Sequence, residues 1–377
     1  MSLDAFLQNL SFNLLDPEAQ VGADGRFHLT RPDGTVATLL DADDFVLEWA
    51  NTNLPPGQAS SKASLEAVAD MPKMSTLAIG AIINSAVSHM PEGQAFVNVG
   101  VWHGYSYLAG LHGNEEKPAT GIDNFSQFGG PKDEFLARFE AQSSPRHSFV
   151  ESDYRDFFRD FSDPIGVYIY DGEHTYENQA EGLRVAESLM ADGCIVIVDD
   201  TNWRQPRKAT YDFIAQSSRD YSVLLDVRTS GQHPTLWNGT LVLRADSNGD
   251  AKTISSIPSP KLPTSEEPPE HRGTTVSALI GPGEPSAKDR TQRALRTQSH
   301  SEIEILTFGG EDDAAEGADH RSTAADAFAA STGDYVVLLN AGAEPGATAI
   351  ERELETINDP GAGKPYDWRN QRGQLRS

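Results

Sequence analysis

The sequence predicts an α/β protein built on a Rossmann-like, doubly wound sheet of seven mostly parallel strands, with a second, smaller α/β unit beyond it. Three observations carry that expectation. Short apolar runs of strand length alternate with segments long enough for crossover helices, the pattern of a parallel sheet with right-handed connections. Several of the runs end in acidic residues, and in an open parallel sheet the carboxyl ends of the strands share one edge. A polar stretch at 247–273, broken by Pro258, Pro260, Pro263, Pro268 and Pro269, then separates this set of runs from a second one.

In chain order, residues 1–70 carry short mixed patterns and read as an N-terminal accessory arm. They include a turn at Arg31-Pro32-Asp33-Gly34 and a helix-like stretch, Asp43–Trp49, and close on Pro55-Pro56-Gly57. The main domain spans 71–246. Met74–Met90 is apolar at helical spacing, with Leu77, Ile79, Ile82, Ile83 and Val87, and Pro91-Glu92-Gly93 stops it. Phe96, Val97 and Val99 form the first strand. Gly100 and Gly104 break it ahead of a helix containing Leu108 and Leu111, which leaves a turn where a ligand can approach the backbone.

Further strands are expected near Thr120–Asp123, Ser148–Val150, Ile165–Tyr170, Cys194–Val198, Tyr221–Leu225 and Leu241–Leu243. Tyr176, Ala180, Leu183, Ala186 and Met190 recur at helical spacing after Asp171. Beyond the linker, Val276–Ile280, Ile303–Phe308 and Tyr335–Leu339 read as strands, with helix-like Asp289–Thr297 and Ser322–Ser331 between them. This second unit spans 274–360, and 361–377 is a polar tail.

Composition narrows the function. A 377-residue chain with 38% hydrophobic residues can build two cores. Its net charge of −26 argues against nucleic acid or an anionic membrane as partner. Cys194, the single cysteine, sits in an apolar run and reads as a core residue, so neither a disulfide framework nor a thiolate metal site is available. Residues 1–20 lack a basic start followed by an apolar core, and no stretch reaches the length of a membrane span. A cytoplasmic location is expected, with a small-molecule or glycan acceptor as partner; a homo-oligomer is compatible with the sequence.

The chemistry-bearing residues lie at the strand ends. Asp123 follows Gly104 by about twenty residues, a spacing that suits a carboxylate on a ribose diol, whether of a dinucleotide or of S-adenosylmethionine. Asp171-Gly172-Glu173-His174-Thr175-Tyr176 is the densest polar cluster. It offers a hard ligand in Asp171 and a titratable base in His174 over one crevice. Asp199 and Asp200 add two carboxylates at the next strand end, and an oxygen-rich set of this kind suits Mg²⁺ or a similar hard cation.

Four segments together resemble the class I S-adenosylmethionine-dependent methyltransferases. They are Asn-x-Gly-x-x-x-Gly-x-Ser at 98–106, Gly-Ile-Asp at 121–123, Tyr-Asp-Gly-Glu-His-Thr-Tyr at 170–176 and Ala-Asp-Gly-Cys-Ile-Val-Ile-Val-Asp-Asp at 191–200. More narrowly, they resemble the metal-dependent macrocin O-methyltransferase and cephalosporin-hydroxylase-like group over about 70–245. That resemblance implies that Asn98, Gly100, Gly104 and Ser106 line the methionine side of the cofactor and that Asp123 meets its ribose. It also implies that Ser152 and Asp153 lie near the adenine and that Asp171, Asp199 and Asp200 hold a divalent cation.

The segment 276–341 resembles the first half of a family 2 glycosyltransferase. Asn340-Ala341-Gly342 stands where that family carries a metal-binding aspartate pair, so a degenerate, truncated and non-catalytic unit is expected. The function so implied is a metal-assisted O-methyltransferase acting on a hydroxyl of a sugar, glycan or natural product, with His174 and Asp171 as catalytic groups. A non-catalytic scaffold in glycan assembly is one alternative. A nicotinamide-dependent oxidoreductase is another, weakened by a turn that reads Gly-x-x-x-Gly.

Overall fold

The computed structural model describes residues 2–42, 44–55, 65, 66, 68, 71–246, 275–298, 300–310 and 319–358. The Pro-rich linker and the polar tail lie outside the described residues. The chain divides into two compact units, Met1–Ser11 with Leu54–Lys261 and Phe12–Asn53 with Leu262–Ser377. No helix among the described residues is long and apolar enough to cross a membrane.

The first unit contains the expected seven-stranded sheet. Its strands are β1 (Ala95–Val99), β2 (Ala119–Asp123), β3 (His147–Glu151), β4 (Ile165–Tyr170), β5 (Met190–Val198), β6 (Asp220–Val227) and β7 (Thr240–Asp246). Their order across the sheet is β6-β7-β5-β4-β1-β2-β3. β3, β2, β1, β4 and β5 pair in parallel, while β7 runs antiparallel between β5 and β6. The strand order reverses at β1, whose neighbours are β2 and β4. A crevice therefore opens at the carboxyl ends of these strands.

Alternation along β1 sends its side chains to two faces. Val97 and Val99 join Tyr168, Tyr170, Val196 and Val198 in a core covered by Tyr154, Phe158, Leu183, Ala186 and Phe213 of three helices, Tyr154–Asp160, Tyr176–Glu187 and Arg204–Gln216. Phe96 faces the other way, 5.8 Å from the Tyr107 ring, and Gly110 leaves it room: a Cβ there would stand 2.4 Å from Phe96 Cε1. This second face is covered by the helices Leu77–Ser88 and Tyr105–Leu111. Thr76 caps the first of them, its Oγ1 accepting from the Ile79 N–H. Cys194 is fully buried in the core, as expected.

Two sequence expectations change. Met190 does not continue the helix after Asp171, which ends at Glu187; instead it opens β5, paired with Ile165. The stretch 1–70 is not one arm. The helix Leu3–Asn9 belongs to the first unit, where Phe6 is buried and Asp4 pairs with Arg244 at 3.2 Å.

Residues 12–53 belong to the second unit. That unit has a mixed sheet ordered Asp319–Arg321, Ile303–Phe308, Val276–Ile280, Tyr335–Leu339, Val36–Ala42 and His28–Thr30. Val36–Ala42 is an interior strand, parallel to Tyr335–Leu339 and hairpinned to His28–Thr30 through the turn at Arg31–Gly34. Ala37 and Leu39 pack into one core and Leu40 into the other, so the segment cannot satisfy itself alone. Two buried cations tie it down: Arg31 Nη2 donates to the Gly333 carbonyl at 2.6 Å, and Arg26 pairs with Glu353 at 3.2 Å.

Candidate functional site

The turn after β1 is locked to its neighbours by backbone geometry. The Gly100 N–H donates to the Ile122 carbonyl at 2.8 Å, and the Asp171 N–H donates to the Val99 carbonyl at 2.8 Å. Gly100 has φ +83°, and a Cβ there would stand 1.9 Å from the Asp171 carbonyl oxygen. Only glycine meets both conditions. Gly104, φ +104°, begins the helix Tyr105–Leu111, and a Cβ on it would meet Phe135 at 2.8 Å. Trp102 takes φ +49° between them, a left-handed conformation that a bulky residue adopts only under constraint.

Asp123 supplies that constraint. Its Oδ2 accepts from the Val101 and Trp102 N–H groups at 2.8 and 2.9 Å, and its Oδ1 accepts from the Phe125 N–H at 2.7 Å. A carboxylate offers about four lone-pair sites, so one acceptor position on Oδ1 remains. Asp123 is therefore both the clamp of the turn and a residue able to take one further donor.

Asn98 is fully buried under the same turn. Its Nδ2 donates to the Gly100 carbonyl at 2.8 Å, while its Oδ1 is sealed from solvent with no partner. A buried acceptor left unmade is costly, which points to a donor arriving from outside the chain. Ser106 is half-buried in the first turn of its helix. Ser152 is tied to the site through its N–H, which donates to the Asp123 carbonyl at 3.1 Å. Asp153 caps the helix Tyr154–Asp160, accepting from the Arg155 N–H at 2.8 Å.

The motif at 171–176 divides between structure and site. Thr175 caps the helix Tyr176–Glu187, Glu173 accepts from Asn178 Nδ2 at 2.7 Å, and the Tyr176 hydroxyl donates to Asp212 at 2.7 Å. Asp171 and His174 remain for chemistry. His174 Nε2 lies 3.2 Å from Asp200 Oδ2 and 3.6 Å from Asp171 Oδ1, with its side chain 15% exposed. Burial alone would push the imidazole down. The hydrogen bond to Asp171, followed by the charges of Asp171, Asp200 and Asp199, outweighs it and raises His174 to about 9. At neutral pH the ring therefore holds its proton.

Asp199 Oδ1 is buried without a partner, and burial together with Asp171 and Asp200 pushes this carboxyl well above the usual range. Burial also raises Asp200, against the opposing pull of His174 and Asn238. Asp200 holds φ +55°, so Trp102 after β1 and Asp200 after β5, the strands on either side of β4, are both left-handed non-glycine residues.

The expected cation site does not fit this arrangement. Among the described residues no group of three or more His, Cys, Asp or Glu side chains is gathered to hold a metal ion. Asp200 Oδ1 accepts from Asn238 Nδ2 at 2.8 Å, and the charged ring of His174 stands against Asp200 and Asp171. His174 stands beside Asp171 and Asp200, so the positive charge next to these carboxylates is the protein's own imidazolium.

Two residues of the site escaped the sequence reading. Asn238 belongs to the Asn238-Gly239 pair before β7, a turn signal whose side chain reaches Asp200 only through the fold. Trp203 is 51% exposed and meets the His174 ring edge-on at 5.7 Å. Its only sequence signal is its position three residues after Asp200.

Residues 97–201 match the family described as "Methyltransferase domain". No curated protein matches the sequence. Among solved structures, a protein of Corynebacterium glutamicum is similar at 16% identity over 52% of this chain and 94% of its own, with a TM-score of 0.39. The O-methyltransferase from Bacillus cereus in complex with SAH is similar at 14% identity over 51% of this chain and 93% of its own, with a TM-score of 0.37. The O-methyltransferase TomG from Streptomyces achromogenes is similar at 13% identity over 51% of this chain and 91% of its own, with a TM-score of 0.36.

Proposed function

We propose that the first unit is an S-adenosylmethionine-dependent O-methyltransferase for a hydroxyl of a small-molecule or glycan acceptor. One observation carries the proposal. The segment that matches a methyltransferase domain, 97–201, supplies the glycine turn, the Asp123 clamp and the cluster of Asp171, His174, Asp199 and Asp200, and it brings them to the carboxyl ends of adjacent strands. The cofactor fits the residues present: Asn98 Oδ1 is a buried acceptor awaiting a donor, Asp123 Oδ1 has one acceptor position left, and the turn brings backbone close to both.

When bound, S-adenosylmethionine supplies an electrophilic methyl group. The chain's own task is to orient the acceptor and remove its proton. Asp171 is the most open carboxylate paired with His174, with its side chain 34% exposed, and it is the proton acceptor in this reading. His174, held charged at neutral pH, stabilises the negative charge that develops on the acceptor oxygen and becomes a base only as the pH approaches about 9. Trp203 offers an exposed ring beside His174 for the body of the acceptor. The segment at 276–341 keeps its reading as a glycosyltransferase-like half without catalysis, since Asn340-Ala341-Gly342 contains no carboxylate.

Calorimetry with S-adenosylhomocysteine and, separately, NADH tests the cofactor class. Saturable binding of the first and none of the second is expected. Tighter NADH binding would overturn the reading. Asp171→Asn should then abolish methyl transfer while leaving S-adenosylhomocysteine affinity unchanged; binding without any transfer activity in the unaltered protein would favour a scaffold.

A further inference from the structure

Beyond the carboxyl ends of β5 and β6 the first unit has an open, solvent-facing depression of about 510 Å³ lined by Asn202, Arg204, Arg207, Lys208, Tyr211 and Arg228. Four of its six lining residues are cations, in a chain whose net charge is −26. Only two of the four are neutralised by contact. Arg207 forms a two-pronged pair with Asp226 at 2.7 and 2.6 Å, and Lys208 pairs with Asp212. Among the described residues neither Arg204 nor Arg228 forms an ion pair within 4 Å; Arg228 feels the Asp226 charge at longer range and its Nη2 donates to the Asn202 carbonyl at 3.5 Å, but its Nε–H is buried without a hydrogen-bond partner. Asp226 is already taken by Arg207 and by the Tyr211 hydroxyl at 2.6 Å.

The backbone adds to the excess of positive charge. The helix Arg204–Gln216 has no acidic residue in its first turn and no side-chain cap, and it places Arg204, Arg207 and Lys208 at its positive end. Cations there are unfavourable by about 0.3–1 kcal/mol each unless an anion sits among them. A buried guanidinium N–H without an acceptor has the same remedy.

We propose that this depression binds a phosphoryl group carried by the acceptor, so that the substrate is a phosphorylated or nucleotide-linked small molecule. The inference deepens the methyltransferase reading and rests on it for the word acceptor. Planar guanidinium forks and helix N–H groups suit a tetrahedral, multiply charged oxyanion. The volume lies in the range of small-molecule sites and leaves space for more than the phosphate itself. The chain links the depression to the candidate site: Arg204 directly follows Trp203, whose N–H donates to the Asp200 carbonyl at 3.0 Å and whose ring meets the His174 ring edge-on at 5.7 Å.

The test is calorimetric titration of the full chain with inorganic pyrophosphate at low salt, alone and in the presence of saturating S-adenosylhomocysteine. Saturable binding in both conditions is expected, with affinity reduced at least about tenfold by Arg228→Gln and further by Arg204→Gln, Arg228→Gln together. Both variants should keep the S-adenosylhomocysteine affinity of the parent, which certifies their fold. No pyrophosphate binding, undiminished binding in the double variant, or competition with S-adenosylhomocysteine would each overturn the anion site. A single-stranded oligonucleotide that displaces pyrophosphate and binds more tightly would overturn the small-molecule class. Pyrophosphate binding without S-adenosylhomocysteine binding would leave the anion site standing and sink the methyltransferase reading instead.

Discussion

At the scale of single residues, the site is governed by how three aspartates at adjacent strand ends are kept from repelling one another. The protein does it with one buried imidazole and one carboxyl pushed up in its proton affinity. A His raised from about 6.5 in the unfolded chain to about 9 in the folded one binds its proton more tightly when folded. Its contribution is therefore complete below about pH 6.5 and disappears as the pH rises through about 9, on the order of 3 kcal/mol at most. His174→Gln is expected to destabilise the protein at pH 6 and to differ little from the parent in that respect above pH 9. Urea unfolding across that interval checks it, and a pH-independent difference would mean that packing, not charge, sets the role of His174.

Asp123 clamps the turn and, in the proposed function, also takes a donor from the cofactor. Its three backbone partners hold Val101, Trp102 and Phe125 in place, so Asp123→Ala should lower the melting temperature as well as weaken S-adenosylhomocysteine binding, by tenfold or more. Asp123→Asn keeps the Oδ1 acceptor and loses the charge, and should fall between. Unchanged affinity in the alanine variant would remove Asp123 from the cofactor site and leave it as the clamp alone.

At the scale of elements, the β1 turn couples two strand ends through a glycine that nothing else can replace. Gly100→Ala places a methyl against the Asp171 carbonyl and forces a left-handed alanine, and should cost about 3 kcal/mol or more. Gly113→Ala is the internal control: its φ is +72° but its Cβ would face open space, so only the conformational cost of about 1 kcal/mol applies. Equal losses in urea unfolding would show that the close approach to Asp171 is not what fixes Gly100.

The same element shows what the sequence makes legible. Strand β4 and the three strands of 276–339 coincide with the apolar runs that predict them, because each is short and flanked by turn residues and all but Ile303–Phe308 are buried on both faces. The meeting of Asp171, His174 and Asp200 was legible for the same reason, since strand ends in one parallel sheet share an edge. The charge state of His174 was not, because it depends on three carboxylates from two segments and on burial. Nor was the function of Asp123, whose partners are backbone N–H groups that no residue type announces. Asn238 reaches Asp200 from the turn before β7, a strand far along the chain that is brought alongside β5 only by its antiparallel insertion between β5 and β6.

At the scale of the whole molecule, the second unit is discontinuous in sequence, and that governs how the chain can be cut. Leu29, Ala37, Leu39, Val46 and Leu47, from the segment 12–53, share one core with Leu279, Leu306, Phe308, Phe328, Val336 and Leu338. Val36–Ala42 hydrogen-bonds along its length to Tyr335–Leu339. A chain ending at 246 would keep the first set and lose the second, exposing an apolar face and an unpaired strand edge, the two features that drive association. It is expected to aggregate even though every residue of the seven-stranded sheet is present. Removing 12–53 as well, with a short flexible joint between Ser11 and Leu54, takes away the orphaned segment and should restore a monodisperse species that binds S-adenosylhomocysteine as the full chain does. Sedimentation velocity distinguishes the two truncations. A monodisperse chain ending at 246 would show that residues 12–53 find another partner and that the mixed sheet is not what holds them.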